Sequence, residues 1–250
     1  MSVKAEPSSD TAVVIPAYNE EATIRDVAER ALAQLPWVIV VDDGSTDGTV
    51  EKLQGLPVVL LRNEHNSGKA ATLSHGLNCA VSDGARAVIT LDGDGQHRPE
   101  DIPSLLATAR RHPDALAIAA RLLDIENAPK ARLFANRFAD FWISWAGGRW
   151  VQDSQSGFRL YPAKLIEAVT INHDRTHGFV FESEIIIEAL RQGFGCEATP
   201  IASIYRHGAR KSHFRPVADI TRIVLMVAGK LFRWGFYPRG LWQALKTRPR

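Results

Sequence analysis

The sequence predicts an α/β fold built on a mostly parallel sheet with helices on both faces, and three observations carry that prediction. Short apolar runs alternate with helical periodicity through roughly the first half of the chain. The runs are apolar at successive residues rather than at every second one, the pattern of strands buried on both faces. Acidic, glycine-bearing segments follow three of them, and in such sheets ligands bind beyond the carboxyl ends of the strands.

In chain order, Thr11–Ala17 (TAVVIPA) reads as the first strand. Ile24, Val27, Ala28, Ala31, Leu32 and Leu35 keep helical spacing, so residues 20–35 read as a helix stopped by Pro36. Residues 37–41 form the second strand, and Ser45 or Thr46 is placed to cap a short helix ending near Leu53. A third strand (58–61), a helix (69–81) and a fourth strand (87–91) follow. Pro99 opens the next helix at its first turn, where the missing N–H costs little, and a further strand precedes Arg121. Beyond Pro129 the texture becomes aromatic, with Phe134, Phe138, Phe141, Trp142, Trp145 and Trp150 interrupted by Arg132 and Arg137. Two shorter helices (162–169 and 181–192) and a late strand (198–205) complete the body. No repeat or low-complexity linker divides it.

Composition bounds the function. The 250 residues are 45% hydrophobic and 23% charged, ordinary for a globular protein. Cys79 and Cys196 stand far apart with no metal-ligand spacing, so neither a zinc site nor a disulfide framework is expected, and a reducing cytoplasm fits. The N-terminus has no secretory pattern, and no apolar run reaches the ~18 residues of a membrane span. The net charge of +2 hides an asymmetry: residues 206–250 hold 11 Lys/Arg and one acid, Asp219. A basic tail on an acidic body points to an anionic partner such as a membrane surface. No nucleic-acid motif or basic stripe in the body supports nucleic acid.

Three loops carry the chemistry. After the first strand, Pro16 stiffens the exit, Tyr18 offers a flat face for a base, and Glu20 sits at a helix start. Alone this is also an ordinary strand-to-helix turn. After the second strand, Asp42 and Asp43 are placed to accept from a base and a ribose, and Gly44 and Gly48 relieve the bend. After the fourth strand, Asp92 and Asp94 lie two residues apart and point the same way in extended chain. That loop suits Mg²⁺ or Mn²⁺, which bind through one or two carboxylates plus diphosphate oxygens. Asn66-Ser67-Gly68-Lys69 resembles a P-loop only superficially. Asn63 stands where the first glycine belongs and Ala70 where Ser/Thr belongs. Lys69 is left as a phosphate or sugar contact, or a solvated lysine.

Together these segments resemble family 2 glycosyltransferases, in the branch of dolichol-phosphate mannosyltransferases and bacterial polyprenyl-phosphate glycosyltransferases. The matching stretches are VVIPAYNE (13–20), VVDDGSTDGT (40–49), NSGKAAT (66–72), LDGDGQHRPEDI (91–102), DSQSGFRLY (153–161) and FVFESE (179–184). The resemblance implies a GT-A-type fold, inversion at the anomeric carbon, and Mg²⁺ or Mn²⁺ bridging a diphosphate. By motif, Pro16, Tyr18, Glu20, Asp42, Asp43, Lys69 and Asp92 would bind the nucleotide; Asp92, Asp94 and Gln96 the metal; and Asp94, Arg121 and Asp153 would be catalytic. Arg121, Arg132, Ser156, Gly157 and Arg206 would bind the acceptor. The segment YRHGARKSHF (205–214) matches the branch only loosely, and the transmembrane helices of many bacterial relatives are missing.

Acceptor chemistry separates the alternatives. A hydroxyl acceptor needs a carboxylate base, for which Glu182 and Glu184 are the candidates. A polyprenyl phosphate is already an anion and needs cations to position it. The expectation is therefore transfer of a hexose from a UDP- or GDP-sugar to a polyprenyl phosphate, with a glycolipid hydroxyl as the same-class alternative. A sugar nucleotidylyltransferase would carry a Gly-rich basic loop where PAYNE stands, and a module that had lost catalysis would not need both Asp92 and Asp94. The domain reading is a disordered 1–10, a catalytic 11–215 and a basic amphipathic helical appendage at 216–250. In that appendage Asp219, Arg222, Lys230 and Arg233 share an arc of about 80° at about 100° per residue. The wide apolar remainder fits either a groove on the protein or the inner face of a membrane, where peripheral attachment is expected. A membrane partner subunit is left open.

Overall fold

The computed structural model describes residues 10–123, 130–169, 178–202 and 216–249. In chain order the elements are β1 (Thr11–Ala17), α1 (Ile24–Leu32), β2 (Val38–Asp42), α2 (Thr49–Lys52), β3 (Val59–Arg62), α3 (Lys69–Ser82) and β4 (Ala87–Thr90). A 3-10 turn at Pro99–Asp101 leads into α4 (Ile102–Arg111), followed by β5 (Ala115–Arg121), α5 (Lys130–Gly147), β6 (Arg159–Pro162) and α6 (Ala163–Ala168). The chain continues through α7 (Gly178–Arg191), β7 (Gly195–Ile201), α8 (Pro216–Arg233) and α9 (Pro238–Lys246).

The strands form one sheet in the order β3-β2-β1-β4-β6-β5-β7. All pairings are parallel except those of β6, which runs antiparallel to both β4 and β5. All seven residues of β1 are buried because alternate side chains enter two cores. Val14, Ile39, Val41 and Val88 face α3, α5, α7 and α8 through Leu73, Leu77, Ile143, Ile186 and Ile223. Val13, Ile15, Val40 and Ile89 face α1 and α4 through Ile24, Val27, Ile102 and Leu105. Gly76 lets α3 settle onto β1: a Cβ there would lie 2.4 Å from Val14 Cγ1.

Three differences from the sequence reading have physical causes. Helix α1 starts at Ile24 rather than at residue 20, because Asn19 takes a left-handed φ of 56° and the N–H groups of Glu20 and Glu21 bond to Thr49 and Asp47. Ser45 caps no helix; its hydroxyl accepts the Asn19 N–H instead, and α2 begins at Thr49. Strand β6 was not expected at all. Its four residues carry a charged side chain and end in proline, so they have no strand-like pattern, and only the gap between β4 and β5 makes them a strand. The late strand begins at Gly195, three residues before the expected start at 198, and its expected end at 205 lies outside the described residues.

The C-terminal helices pack on the same body. Ile223, Val227 and Leu231 of α8 are buried in the core under α5 and α7, and Lys230 is ion-paired with Glu184 (2.8 Å) and Glu188 (2.6 Å). Leu225 and Phe232 on the same helix stay exposed. No helix among the described residues is long and apolar enough to cross a membrane.

Candidate active site

The carboxyl ends of β1, β2 and β4 lie side by side at one edge of the sheet, and the loops that follow them are laced together. Asp43 N–H donates to Ala17 O (2.8 Å), Thr46 N–H to Asn19 Oδ1 (2.8 Å), and the Thr23 hydroxyl to Gly93 O (2.7 Å). Pro16 is buried beneath this junction, and Tyr18 and Glu20 are half-buried at its rim.

Asp42 and Asp43 are both buried and both already hold the loops around them. Asp42 accepts the Ser45 N–H (3.3 Å) and pairs with Arg62 (3.2 Å). Asp43 accepts the N–H groups of Ser67 and Gly68 (each 2.9 Å) and the Asn63 amide (2.8 Å). The segment that mimics a P-loop is thus clamped by an aspartate and delivers Lys69 at the start of α3. Gly44 is obligatory in this clamp: its φ is +70°, and a Cβ would lie 2.8 Å from the His65 carbonyl carbon.

Lys69 bridges Asp92 (2.9 Å) and Glu182 (3.1 Å), so β4, α3 and α7 share one charge cluster. Burial disfavours both charges, yet Lys69 and the Asp92–Glu182 pair stabilise each other. The Asp92 carboxyl is held below the usual carboxylate range and the Lys69 ammonium above the usual lysine range. Gly157 makes room for Asp92: a Cβ there would lie 2.4 Å from Asp92 Oδ2. Burial pushes His97, packed 5.5 Å from the Phe158 ring, down to about 4, so it is neutral at physiological pH. Asp94 is half-buried and accepts the Gln96 N–H (3.0 Å). Among the described residues no group of three or more His, Cys, Asp and Glu side chains could hold a metal ion. Asp92, Asp94 and Gln96 supply the donor types that Mg²⁺ or Mn²⁺ takes, one or two carboxylates with the other oxygens drawn from phosphate and water.

Near His97, whose ring feels the charges of both Asp92 and this pair, Arg121 at the end of β5 is gripped by Asp153. Its Nε and Nη2 donate to the two carboxylate oxygens (2.8 and 2.6 Å), and its backbone N–H adds a third bond (2.9 Å). Burial pushes the Asp153 carboxyl up, but the bonds and charge of Arg121 hold it below the usual range. Ser156 is buried in the following turn. Arg132 lies on α5 with its side chain outside the described residues, and Arg206 is outside them altogether. Glu184 faces away from the cluster, toward Lys230.

Two residues here had no role in the sequence reading. Arg159 is buried, and its guanidinium donates to Ser154 O, Ser156 O and Glu182 O at 2.6–2.7 Å. Asp140 on α5 accepts the N–H groups of Asp153 and Ser154. The available signal was a lone charge in an apolar run, FRLY for one and ADFW for the other, since such residues are buried only when paired.

Comparison with known proteins identifies the family. The model of the family described as Glycosyl transferase family 2 matches residues 12–169. The chain belongs to that family. This glycosyltransferase is 27% identical to the polyprenol monophosphomannose synthase of Mycolicibacterium smegmatis over 78% of its own length and 77% of the relative's. It is 28% identical to the UDP-N-acetylglucosamine--dolichyl-phosphate N-acetylglucosaminyltransferase of Methanococcus voltae, over 77% and 85%. These relatives match the dolichol-phosphate mannosyltransferase branch that the motifs resemble. In fold, it superposes on glucosyl-3-phosphoglycerate synthase from Mycobacterium tuberculosis, solved with Mn²⁺, UDP-glucose and phosphoglyceric acid. The TM-score is 0.63 at 20% identity, covering 90% of this glycosyltransferase and 79% of that chain. The fold is GT-A-like, with a mixed, mostly parallel sheet.

Proposed function

We propose that this glycosyltransferase moves a hexose, with inversion, from a UDP- or GDP-sugar to a polyprenyl phosphate at the cytoplasmic face of a membrane. The observation that carries the reading is that four carboxylates, the candidate bases Glu182 and Glu184 among them, are ion-paired. Asp153 is engaged by Arg121, Asp92 and Glu182 by Lys69, and Glu184 by Lys230. An ion-paired carboxylate is a poor base for deprotonating a hydroxyl. A phosphate acceptor arrives as an anion, needs no base, and is positioned by cations such as Arg121, whose guanidinium plane Asp153 fixes. The acceptors in the names of the two relatives support the same class.

In this reading Pro16, Tyr18, Glu20, Asp42 and Asp43 border the nucleoside, and Lys69 and Asp92 the diphosphate. Asp92, Asp94 and Gln96 would hold Mg²⁺ or Mn²⁺, which when bound neutralises charge gathering on the departing diphosphate. Ser156 and Gly157 shape the sugar side. Arg121, Arg132 and Arg206 are proposed to hold the acceptor phosphate. The test is a screen of labelled UDP- and GDP-hexoses with Mg²⁺ or Mn²⁺ and undecaprenyl phosphate, read by extraction into organic solvent. Label is expected in the organic phase only with the phosphorylated lipid. Equal transfer to the free polyprenol would overturn the reading in favour of a hydroxyl acceptor.

Membrane docking is the second part of the proposal. Leu225 and Phe232 of α8, Phe236, Trp242 of α9 and Phe134 of α5 are each at least 60% exposed, beside the exposed Arg222, Arg233, Arg239 and Lys246. Aromatic and basic residues together suit an anionic interface. Deleting α8 would remove core residues, so substitution is the cleaner test. Replacing Phe232, Phe236 and Trp242 by serine is expected to lower co-sedimentation with anionic vesicles roughly tenfold or more, with the melting temperature unchanged. Undiminished sedimentation would take this surface out of the proposal.

A further inference from the structure

Asp140 lies inside α5, only 7% exposed. Its Oδ2 accepts the Asp153 N–H at 3.1 Å and its Oδ1 the Ser154 N–H at 2.8 Å. Asp153 has a φ of +51°, a left-handed conformation that a residue with a side chain keeps only when its surroundings impose it. From that conformation its carboxylate embraces Arg121 with three bonds, and Arg159 closes the same turn from the far side through Ser154 O and Ser156 O.

We infer that Asp140 is a positioning residue for sugar transfer. By holding the turn at residues 153–154 it aims the Asp153 carboxylate, and through it the Arg121 guanidinium, at the acceptor. The inference rests on the acceptor-binding role proposed for Arg121. The two N–H donors meet different oxygens of Asp140; asparagine offers one oxygen, and its NH₂ would confront the other N–H. Stability alone does not explain the acid. Burial, with the Asp153 charge adding to it, pushes the Asp140 carboxyl up to about 7 against the pull of its bonds to Ser154 and Asp153. A carboxyl raised on folding favours the folded state most when protonated, so this contribution declines as pH rises from about 4 to about 7. The anion is therefore kept at a cost to the fold. Among the described residues, the titratable groups facing it are Asp153, an anion throughout this range, and the Cys196 thiol, pushed by burial to about 12 and neutral throughout.

The experiment compares the full chain with Asp140→Asn and, in parallel, Arg121→Lys, using undecaprenyl phosphate and the active donor between about pH 5.5 and 8.5. In Asp140→Asn the acceptor KM is expected to rise about tenfold, as when a partner that orients a binding group is lost, while the donor KM stays unchanged. The wild type should lose kcat/KM for the acceptor as pH falls through about 7, and the variant should lack that component. The second ionisation of the acceptor, about 6 for a phosphate monoester, remains in both profiles, so their difference is the readout. If Arg121→Lys raises the acceptor KM while Asp140→Asn changes neither KM nor pH profile, the positioning role is overturned and the acceptor role of Arg121 stands. A lowered melting temperature in Asp140→Asn without either kinetic change would make Asp140 purely structural and overturn the inference too. If neither variant moves the acceptor KM, the role of Arg121 has failed first.

Discussion

Asp94→Ala is expected to lower kcat by about 10³-fold or more while leaving the melting temperature within about 2 °C of wild type. Asp94 is half-buried and accepts the Gln96 N–H of its own loop. In the proposed function it also helps hold the cation that offsets charge on the leaving diphosphate, and there the loss is large. Asp92 would be a poorer choice for the same test. It is paired with Lys69 and packed against Gly157, so its removal would take away one of the carboxylates that pair the Lys69 ammonium and disturb α3 and α7 as well. Titration of transfer rate against Mg²⁺ and Mn²⁺ in wild type and variant is the measurement. Near-normal turnover in Asp94→Ala would remove a metal from the mechanism.

Arg159→Leu is expected to have the largest effect on stability. The guanidinium is 1% exposed and serves carbonyls in two segments, the turn at 154–156 and the start of α7 at Glu182. Leucine fills part of the volume but leaves those carbonyls without their donors, at roughly 1–3 kcal/mol for each unsatisfied group. A loss of about 3–5 kcal/mol corresponds to a melting temperature lower by roughly 10 °C in a chain of this size. Arg159→Lys, with one flexible ammonium in place of a planar fork, should recover only part of it. A fall of less than about 2 °C for Arg159→Leu would mean that the turn holds itself, and that the buried guanidinium is not what joins it to α7.

Much of the site was legible in the sequence because its parts are local. Asp42, Asp43, Asp92 and Asp94 each follow an apolar run, and a parallel sheet brings the ends of such runs to one edge whatever the details of packing. Lys69 was legible only as an open choice between a ligand contact and a solvated residue. Its position between Asp92 and Glu182 joins residues more than 100 apart in sequence, and no spacing rule reaches that far. The second duty of Asp43, as clamp of the 67–68 backbone, was invisible because the partner N–H groups carry no residue signature. For the C-terminal helix the periodicity grouped Lys230 with Asp219, Arg222 and Arg233 on one charged arc. The structure instead sets it against Glu184 and Glu188, while Ile223, Val227 and Leu231 enter the core.

By itself the sequence determined most of the strand segments, where the acids and glycines at their carboxyl ends fall, and to which family the chain belongs. These follow from side-chain chemistry and periodicity, which act over a few residues. Only the tertiary structure decided that RLYP is a strand, that Arg121 and Asp153 are one unit, and that Asp140 and Arg159 stand behind it. Those outcomes depend on which backbone N–H and C=O groups are left without partners once the sheet has closed, and a buried polar group must be satisfied by whatever the fold brings near it.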